Sequence, residues 1–304
     1  MFTRILVPTD FSRSSDAALG HARRLAASTG ASLHVLHVVD NVFLRTVLAD
    51  PRNYEAAALW QLQQQFPDGD PGAILVVERS EAPADEIARY ARIHSIDLIV
   101  MGTHGRGRMA NLLLGSVAEK VVRTAPCPVL TVREAPVAGE PKGLRILVAT
   151  DFSASSDAAL GCARRLAAKV RGTIRLLHVV EQSASAASFG SELTIAEPAR
   201  EEQTVTPRLH LSHRMLVDSR SRVKIDSDVI FGPSGVMITT YARLNGFDLI
   251  VMGTRGRTGL SHLLMGSVAE SVIRTAPCPV LTVKAQGARH AEEPAEAAAM
   301  GAAV

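Results

Sequence analysis

The strongest constraint on the fold is an internal repeat that spans nearly the whole chain. RILVPTDFS at residues 4–12 returns as RILVATDFS at residues 145–153, and LHVV follows at the same spacing. The spacing then grows from 141 to 151 residues, and the larger value holds for DLIVMGT at 97–103 and 248–254. Repeats of solenoids and propellers are about 20 to 50 residues long, so a period this long indicates a duplicated domain.

Within each copy, short apolar runs alternate with helical patterns. In the first copy the runs predict five strands, at 5–7, 33–39, 74–77, 98–101 and 129–132. The sequence between them predicts helices at 14–28, 53–66, 83–94 and 116–124. Strands alternating with helices are typical of α/β proteins with a parallel, doubly wound, Rossmann-like sheet. We therefore predict two such five-stranded sheets in the chain.

Composition shifts predict the domain boundaries. We place one domain at 1–133, a linker at 134–143, a second domain at 144–284 and a tail at 285–304. The linker is rich in Pro and Gly, and the tail lacks core-forming periodicity, so we expect it to be disordered. The second copy gains a net ten residues between its second strand and its glycine-rich loop. We predict that this segment, 181–222, is a variable and partly irregular excursion.

Charge and cysteine content exclude several classes of protein. Thirty-three Lys and Arg residues stand against 30 Asp and Glu, a net charge of +3 that is too small to indicate a nucleic-acid or membrane-surface partner. No apolar run reaches the roughly 18 residues of a membrane span or resembles a signal peptide, so we expect a cytoplasmic protein. The three cysteines fit a reducing compartment. We predict no metal site, because His210-x2-His213 lacks a third ligand.

A glycine-rich loop follows the fourth predicted strand of each copy. Its spacing is identical in the two copies: Gly102, Gly105 and Gly115-Ser116, then Gly253, Gly256 and Gly266-Ser267. Ser116 lies three residues before Glu119, a pattern that predicts a capping box at a helix start. Backbone N–H groups in such a loop can surround an anion. A loop that only turns the chain remains the alternative.

A carboxylate follows the first predicted strand of each copy, in Thr9-Asp10 and Thr150-Asp151. Ligands of doubly wound sheets bind beyond the carboxyl ends of the strands, where the strand order switches. If strands one and four are neighbours there, the aspartate and the loop face one crevice, which suits a nucleotide. Three alternatives stay open: aspartates that cap the following helix or satisfy loop amides, serines that only cap helices, and solvated side chains at His104 and Arg255.

The pattern G-x2-G-x9-G-[ST] after a strand, with an aspartate after strand one, resembles the ATP-binding class of universal stress proteins. The resemblance covers 1–133 and 144–284, so the chain resembles a tandem member of that family. It implies the sheet order 3-2-1-4-5 in each copy. It also implies that the last strands, 129–132 and 280–283, pair the copies into an intrachain pseudo-dimer, which can dimerise further.

The resemblance further implies an adenine-nucleotide site in each copy, with ATP bound with or without Mg²⁺. Asp10 and Asp151 would contact the adenosine, and Val38 and Val179 would line the adenine. The full first site would be Pro8, Thr9, Asp10, Val38, Met101, Gly102, His104, Gly105, Gly115, Ser116 and Val117. The full second site would be Ala149, Thr150, Asp151, Val179, Met252, Gly253, Arg255, Gly256, Gly266, Ser267 and Val268.

The expected function is nucleotide-dependent regulation, or binding of a protein partner, in a stress response. The sequence has no G-x-x-x-x-G-K-[ST] lysine and no matched nucleophile and base at the strand ends, so we predict no catalytic residue. A slow ATPase or self-phosphorylating protein is one alternative. The other is a scaffold that binds a protein or a lipophilic ligand, but no nucleotide, through the 181–222 excursion.

Overall fold

The computed structural model describes residues 2–40, 51–66, 72–105, 114–133, 143–181, 206–212, 223–256 and 265–285. Most of the predicted linker, of the predicted tail and of the predicted 181–222 excursion lies outside the described residues.

Strands and helices alternate through both halves of the chain. The first half contains β1 (Arg4–Pro8), α1 (Arg13–Thr29), β2 (Ser32–Asp40), α2 (Pro51–Gln64), β3 (Ala73–Ser80), α3 (Pro83–Ile93), β4 (Leu98–Gly102), α4 (Ser116–Thr124) and β5 (Val129–Val132). The second half contains β6 (Arg145–Ala149), α5 (Ala154–Val170), β7 (Thr173–Val180), β8 (Ile225–Phe231), α6 (Ser234–Leu244), β9 (Leu249–Gly253), α7 (Ser267–Thr275) and β10 (Val280–Val283). Each strand and helix predicted for the first half is present, with ends shifted by a few residues at most.

The strands form a single ten-stranded sheet in the order β3-β2-β1-β4-β5-β10-β9-β6-β7-β8. All pairs within a half are parallel, and the predicted order 3-2-1-4-5 is confirmed in both halves. The order reverses between β1 and β4, and again between β6 and β9. Because connections leave these neighbouring strands in opposite directions, a crevice opens at their carboxyl ends.

The two halves meet through β5 and β10, which pair antiparallel with Leu130 opposite Leu281. Two buried threonines add side-chain hydrogen bonds across this junction. The Thr131 hydroxyl donates to the Val280 carbonyl at 3.2 Å, and the Thr282 hydroxyl donates to the Val129 carbonyl at 3.1 Å. The intrachain pseudo-dimer predicted for these strands is confirmed.

Each half also supplies a cation to the end of a helix in the other half. Arg133 donates to the carbonyl of Arg274 in α7 at 2.8 Å, and Lys284 donates to the carbonyls of Arg123 and Ala125 at 2.7 Å. Cations at helix C-termini satisfy the last carbonyls and complement the helix dipole. Burial, and then the charge of Arg255, lower the pKa of Lys284 to about 8.

The sheet is covered on both faces, as the continuous apolar runs of its strands require. Ile5 and Val7 face the helices α1 and α2, whereas Leu6 faces α3 and α4, following the two-residue period of a strand. Cys162 is buried in the first of these cores, and Cys127 and Cys278 pack against the second. Burial raises the pKa of both Cys127 and Cys278 to about 12, as expected for unreactive core thiols.

Part of the predicted 181–222 excursion is helical. Residues 206–212 form a short helical segment, and its Leu211 is 1% exposed. Leu211 joins the same buried cluster as Leu62 of α2. The segment therefore packs on the same face of the sheet as α2. None of the described helices is long and apolar enough to cross a membrane.

One histidine of α1 gives the first half a dependence on acid. Burial, followed by the charge of Arg24, lowers the pKa of His21 from 6.5 to about 4. The unfolded chain therefore binds more protons than the folded chain between these values, and stability is lost as the pH falls from about 6.5 towards 4. This loss of unfolding free energy should be smaller in His21→Gln than in the wild-type chain, by up to about 3 kcal/mol. Urea unfolding at several pH values measures the difference.

The matched control for His21→Gln is Cys162→Ser, at the equivalent position of α5. The serine does not titrate in this range, so the decline of unfolding free energy with acid should keep its wild-type slope. An unchanged slope in His21→Gln would instead assign the acid sensitivity to other groups.

Candidate functional site

A cavity of about 490 Å³ lies at the carboxyl ends of β1 and β4, at the switch in strand order of the first half. All residues predicted for the first site line it: Pro8, Thr9, Asp10, Val38, Met101, Gly102, His104, Gly105, Gly115, Ser116 and Val117. An equivalent cavity of about 210 Å³ lies in the second half. It is lined by all residues predicted for the second site: Ala149, Thr150, Asp151, Val179, Met252, Gly253, Arg255, Gly256, Gly266, Ser267 and Val268.

The predicted set omits part of each wall. The first cavity is also lined by Ser15, Leu36, Pro83, Ile87, Thr103, Leu114 and Ala118. The second is also lined by Ser156, Leu177, Ser234, Ile238, Thr254 and Ala269. Periodicity could have found some of them, since Leu36 shares a strand face with Val38, and Ile87 lies one helical turn after Pro83. The contribution of α3 and α6 requires knowing how those helices pack, which a local pattern does not give.

The aspartate after β1 lies against the glycine-rich loop. One oxygen of Asp10 accepts the N–H of Ser12 at 3.1 Å, so it satisfies a loop amide, as one of the open alternatives proposes. The other oxygen points at Gly105, where an added Cβ would lie only 2.8 Å away. In the second half the corresponding distance, from Asp151 to a Cβ on Gly256, is 3.0 Å. The absence of a side chain at these glycines therefore lets a carboxylate meet the loop.

A strained backbone turn positions the Asp10 side chain. Phe11 follows Asp10 with φ of 61°, in the left-handed region that bulky residues rarely adopt. The Thr9 hydroxyl accepts the N–H of Phe11 at 3.0 Å, and Ser12 then caps α1 by accepting the N–H of Ser15 at 3.3 Å. The second half repeats the turn, with φ of 66° at Phe152. Strain repeated in both halves at the residue that follows a cavity-lining aspartate is typical of a binding site.

The N-terminus of α4 forms another wall of the same cavity. The N-cap residue is Gly115, whose carbonyl accepts the N–H of Glu119 at 2.9 Å, and no side chain caps the helix. The predicted capping box with Ser116 as N-cap is therefore wrong. Ser116 is the first helical residue, one position too far along for its hydroxyl to cap the turn.

The same correction applies in the second half, where Gly266 caps α7 and Ser267 is its first residue. Both helices leave the N–H groups of their first turn without a side-chain acceptor from the described residues. These groups carry the positive end of the helix dipole, so the wall they form favours an anion.

In each half a buried serine joins the helix after the aspartate, α1 or α5, to the glycine-rich loop. Ser14 donates its hydroxyl to the carbonyl of His104, and Ser155 donates to the carbonyl of Arg255 at 2.6 Å. Ser14 is fully buried, and α1 lies directly on Gly102 at the end of β4. The loop is therefore anchored at its start by the helix that follows the aspartate.

His104 and Arg255 occupy equivalent places in the two loops. Both side chains line their cavities and are half-buried, so each is partly solvated. His104 shares a hydrogen bond of 2.8 Å between its Nδ1 and the Thr103 hydroxyl, and its Nε2 is buried with no partner in the described chain. An acceptor brought by a ligand can therefore satisfy Nε2.

These features define the class of protein: a duplicated, doubly wound α/β protein with a glycine-rich loop at each switch in strand order. Sequence comparison then identifies the family. The sequence model of the universal stress protein family matches residues 1–133 and 144–284. The chain belongs to the universal stress protein family. A universal stress protein of Mycolicibacterium smegmatis is 28% identical over 294 residues, which cover 92% of this chain and 96% of that protein. A universal stress protein of Thermus aquaticus is 37% identical over 139 residues, which cover 44% of this chain and 100% of that protein.

Solved structures share the fold over nearly the full length. A universal stress protein of Archaeoglobus fulgidus superposes with a TM-score of 0.66 at 24% identity, covering 92% of this chain and 96% of that one. A Pseudomonas aeruginosa protein described as functionally unknown also gives a TM-score of 0.66, at 22% identity, covering 93% of this chain and 92% of that one. The duplicated architecture therefore recurs in other proteins.

Proposed function

We propose that this chain is an ATP-binding universal stress protein, in which occupancy of one or both cavities changes the affinity for a protein partner. The observation that carries the proposal is that the Asp10 carboxylate and the uncapped N-terminus of α4 line one cavity. A nucleotide needs both features, because its phosphates accept hydrogen bonds while its ribose and base also donate them.

The phosphate end of the proposed site is formed by the backbone. Gly105, Gly115 and Ser116 line the cavity beside the first turn of α4. Glycine permits close approach of a ligand to the main chain, and the helix dipole stabilises anions by about 0.3–1 kcal/mol in exposed sites. Neither lysine nor arginine is among the described residues that line the first cavity, so we expect Mg²⁺ to accompany the triphosphate there and offset its charge.

The nucleoside end is mostly apolar. Leu36, Val38, Ile87 and Met101 line the first cavity and offer surfaces for a planar base, while Asp10 offers the fixed polar contact. An apolar pocket with few convergent polar groups is the usual form of a small-molecule site. The Thr103 hydroxyl contacts the His104 imidazole at 2.8 Å, but Thr103 is only 2% exposed and is poorly placed to attack a bound phosphate, which supports binding rather than rapid turnover.

The nucleoside contact can be tested with Asp10→Asn. Losing a hydrogen bond to a charged group costs about 1.5–3 kcal/mol, so ATP affinity in the first half should fall at least about tenfold. Equilibrium dialysis with labelled ATP measures the change. Asp85→Asn is the control, since Asp85 is exposed, pairs with Lys120 and does not line the cavity. Equal affinities for the two variants would contradict the assigned role of Asp10.

The identity of the ligand can be tested without adding any. We expect protein purified in nucleotide-free buffers to release adenine nucleotide on denaturation, identified by mass spectrometry. Release of a lipophilic molecule instead would favour the scaffold alternative.

A further inference from the structure

The two cavities occupy equivalent places but differ in size. The first has a volume of about 490 Å³ and the second about 210 Å³, although both have an aspartate, glycines and an uncapped helix at matching positions. At the phosphate end, Gly256, Gly266 and Ser267 repeat Gly105, Gly115 and Ser116. A ligand that fills the first cavity therefore has less room in the second.

A hydrogen bond crosses the rim of the second cavity. The Glu181 carboxylate, immediately after β7, accepts the N–H of Ser234 at the start of α6 at 3.1 Å. Hydrogen bonds from the Ser234 hydroxyl and N–H hold the pKa of Glu181 below its usual range. We name this pair the Glu181–Ser234 latch. It joins two walls of the cavity, because Val179 of β7 and Ser234 of α6 both line it.

The first half is chemically unable to form the same latch. The residue equivalent to Ser234 is Pro83, which also lines its cavity and begins α3. Proline has no backbone N–H, so no acceptor on β2 can be bound there. The larger cavity is the one without the latch.

We infer that the two halves bind nucleotide unequally, because the Glu181–Ser234 latch keeps the second cavity smaller than the first. This inference rests on the proposed function. A site whose competent state is populated only in part binds with an affinity reduced by that fraction. Opening the latch should therefore strengthen binding in the second half without adding any contact.

The test isolates the second cavity by closing the first with Gly115→Leu. With the Gly115→Leu single variant, calorimetry with Mg²⁺ and ATP should show at least about tenfold weaker binding than the wild-type chain. Adding Glu181→Ala should restore binding at least about tenfold, with one ATP per chain. A gain of affinity cannot arise from misfolding. Asp40→Asn, at the position equivalent to Glu181, is the matched control and should restore nothing.

Arg255 offers a rival cause for the smaller cavity, because it stands where the first half has the smaller His104. In the same Gly115→Leu background, Arg255→His should leave binding weak. Restoration by Arg255→His but not by Glu181→Ala would overturn the latch. Two equal ATP equivalents in the wild-type chain would also overturn it, while leaving the proposed function standing. Absence of ATP binding in the wild-type chain and in all of these variants would overturn both the latch and the proposed function.

Discussion

Replacing Gly115 with leucine should weaken ATP binding in the first half by about 100-fold or more while leaving the fold intact. Gly115 has φ of −61° and ψ of 141°, which any residue can adopt. An added Cβ would lie 3.2 Å from the Thr103 carbonyl oxygen, a close contact that a small shift relieves. The rest of the leucine side chain would occupy the end of the cavity where the N–H groups of α4 are proposed to meet phosphate. Calorimetry measures the affinity, and circular dichroism checks the fold.

The matched control is Gly266→Leu, the same change at the N-cap of α7. Its Cβ would lie 3.4 Å from the Thr254 carbonyl oxygen, so the steric cost is similar or smaller. We expect this variant to keep the tight site of the wild-type chain. Loss of tight binding in Gly266→Leu, with wild-type affinity in Gly115→Leu, would show that the tight site lies in the second half and not in the first.

Gly102→Val should destabilise the first half by about 3 kcal/mol or more, the largest effect on stability that we expect from a single residue here. An added Cβ at Gly102 would lie 2.8 Å from the backbone carbonyl carbon of Ser14. Ser14 is fully buried at the start of α1, so relief requires moving the helix away from β4. Urea unfolding followed by circular dichroism should show a lower midpoint.

Gly20→Ala provides a control of opposite sign. Gly20 lies inside α1, and an added Cβ there would meet nothing within 4 Å. Alanine in a helix interior is about 0.5–1 kcal/mol better than glycine, so this variant should be slightly more stable than the wild-type chain. Equal effects of the two substitutions would show that the packing of α1 on Gly102 is looser than described.

Most of the strands and helices could be predicted from local sequence patterns. Apolar runs ending at glycines located β4 and β9, and duplication of RILV located β1 and β6. Both kinds of signal depend on residues close together in the chain. The strand order came from the resemblance to a family, because the choice of neighbouring strands depends on contacts distant in sequence.

The errors and omissions have physical causes. The Ser-x-x-Glu pattern at Ser116 fits a capping box, but the preceding Gly115 takes the N-cap position with extended backbone angles and no side chain. The exchange of Arg133 and Lys284 between halves depends on the antiparallel junction of β5 and β10. The Glu181–Ser234 latch joins residues 53 positions apart and follows from the packing of α6 beside β7.

ATP binding by the wild-type chain is the property on which the proposed function depends most directly. Isothermal titration calorimetry of the full chain with Mg²⁺ and ATP tests this in one experiment. We expect a dissociation constant well below about 1 mM and close to one tight equivalent per chain. No binding up to millimolar ATP in the presence of Mg²⁺, by a chain first freed of any bound nucleotide, would contradict the proposed function.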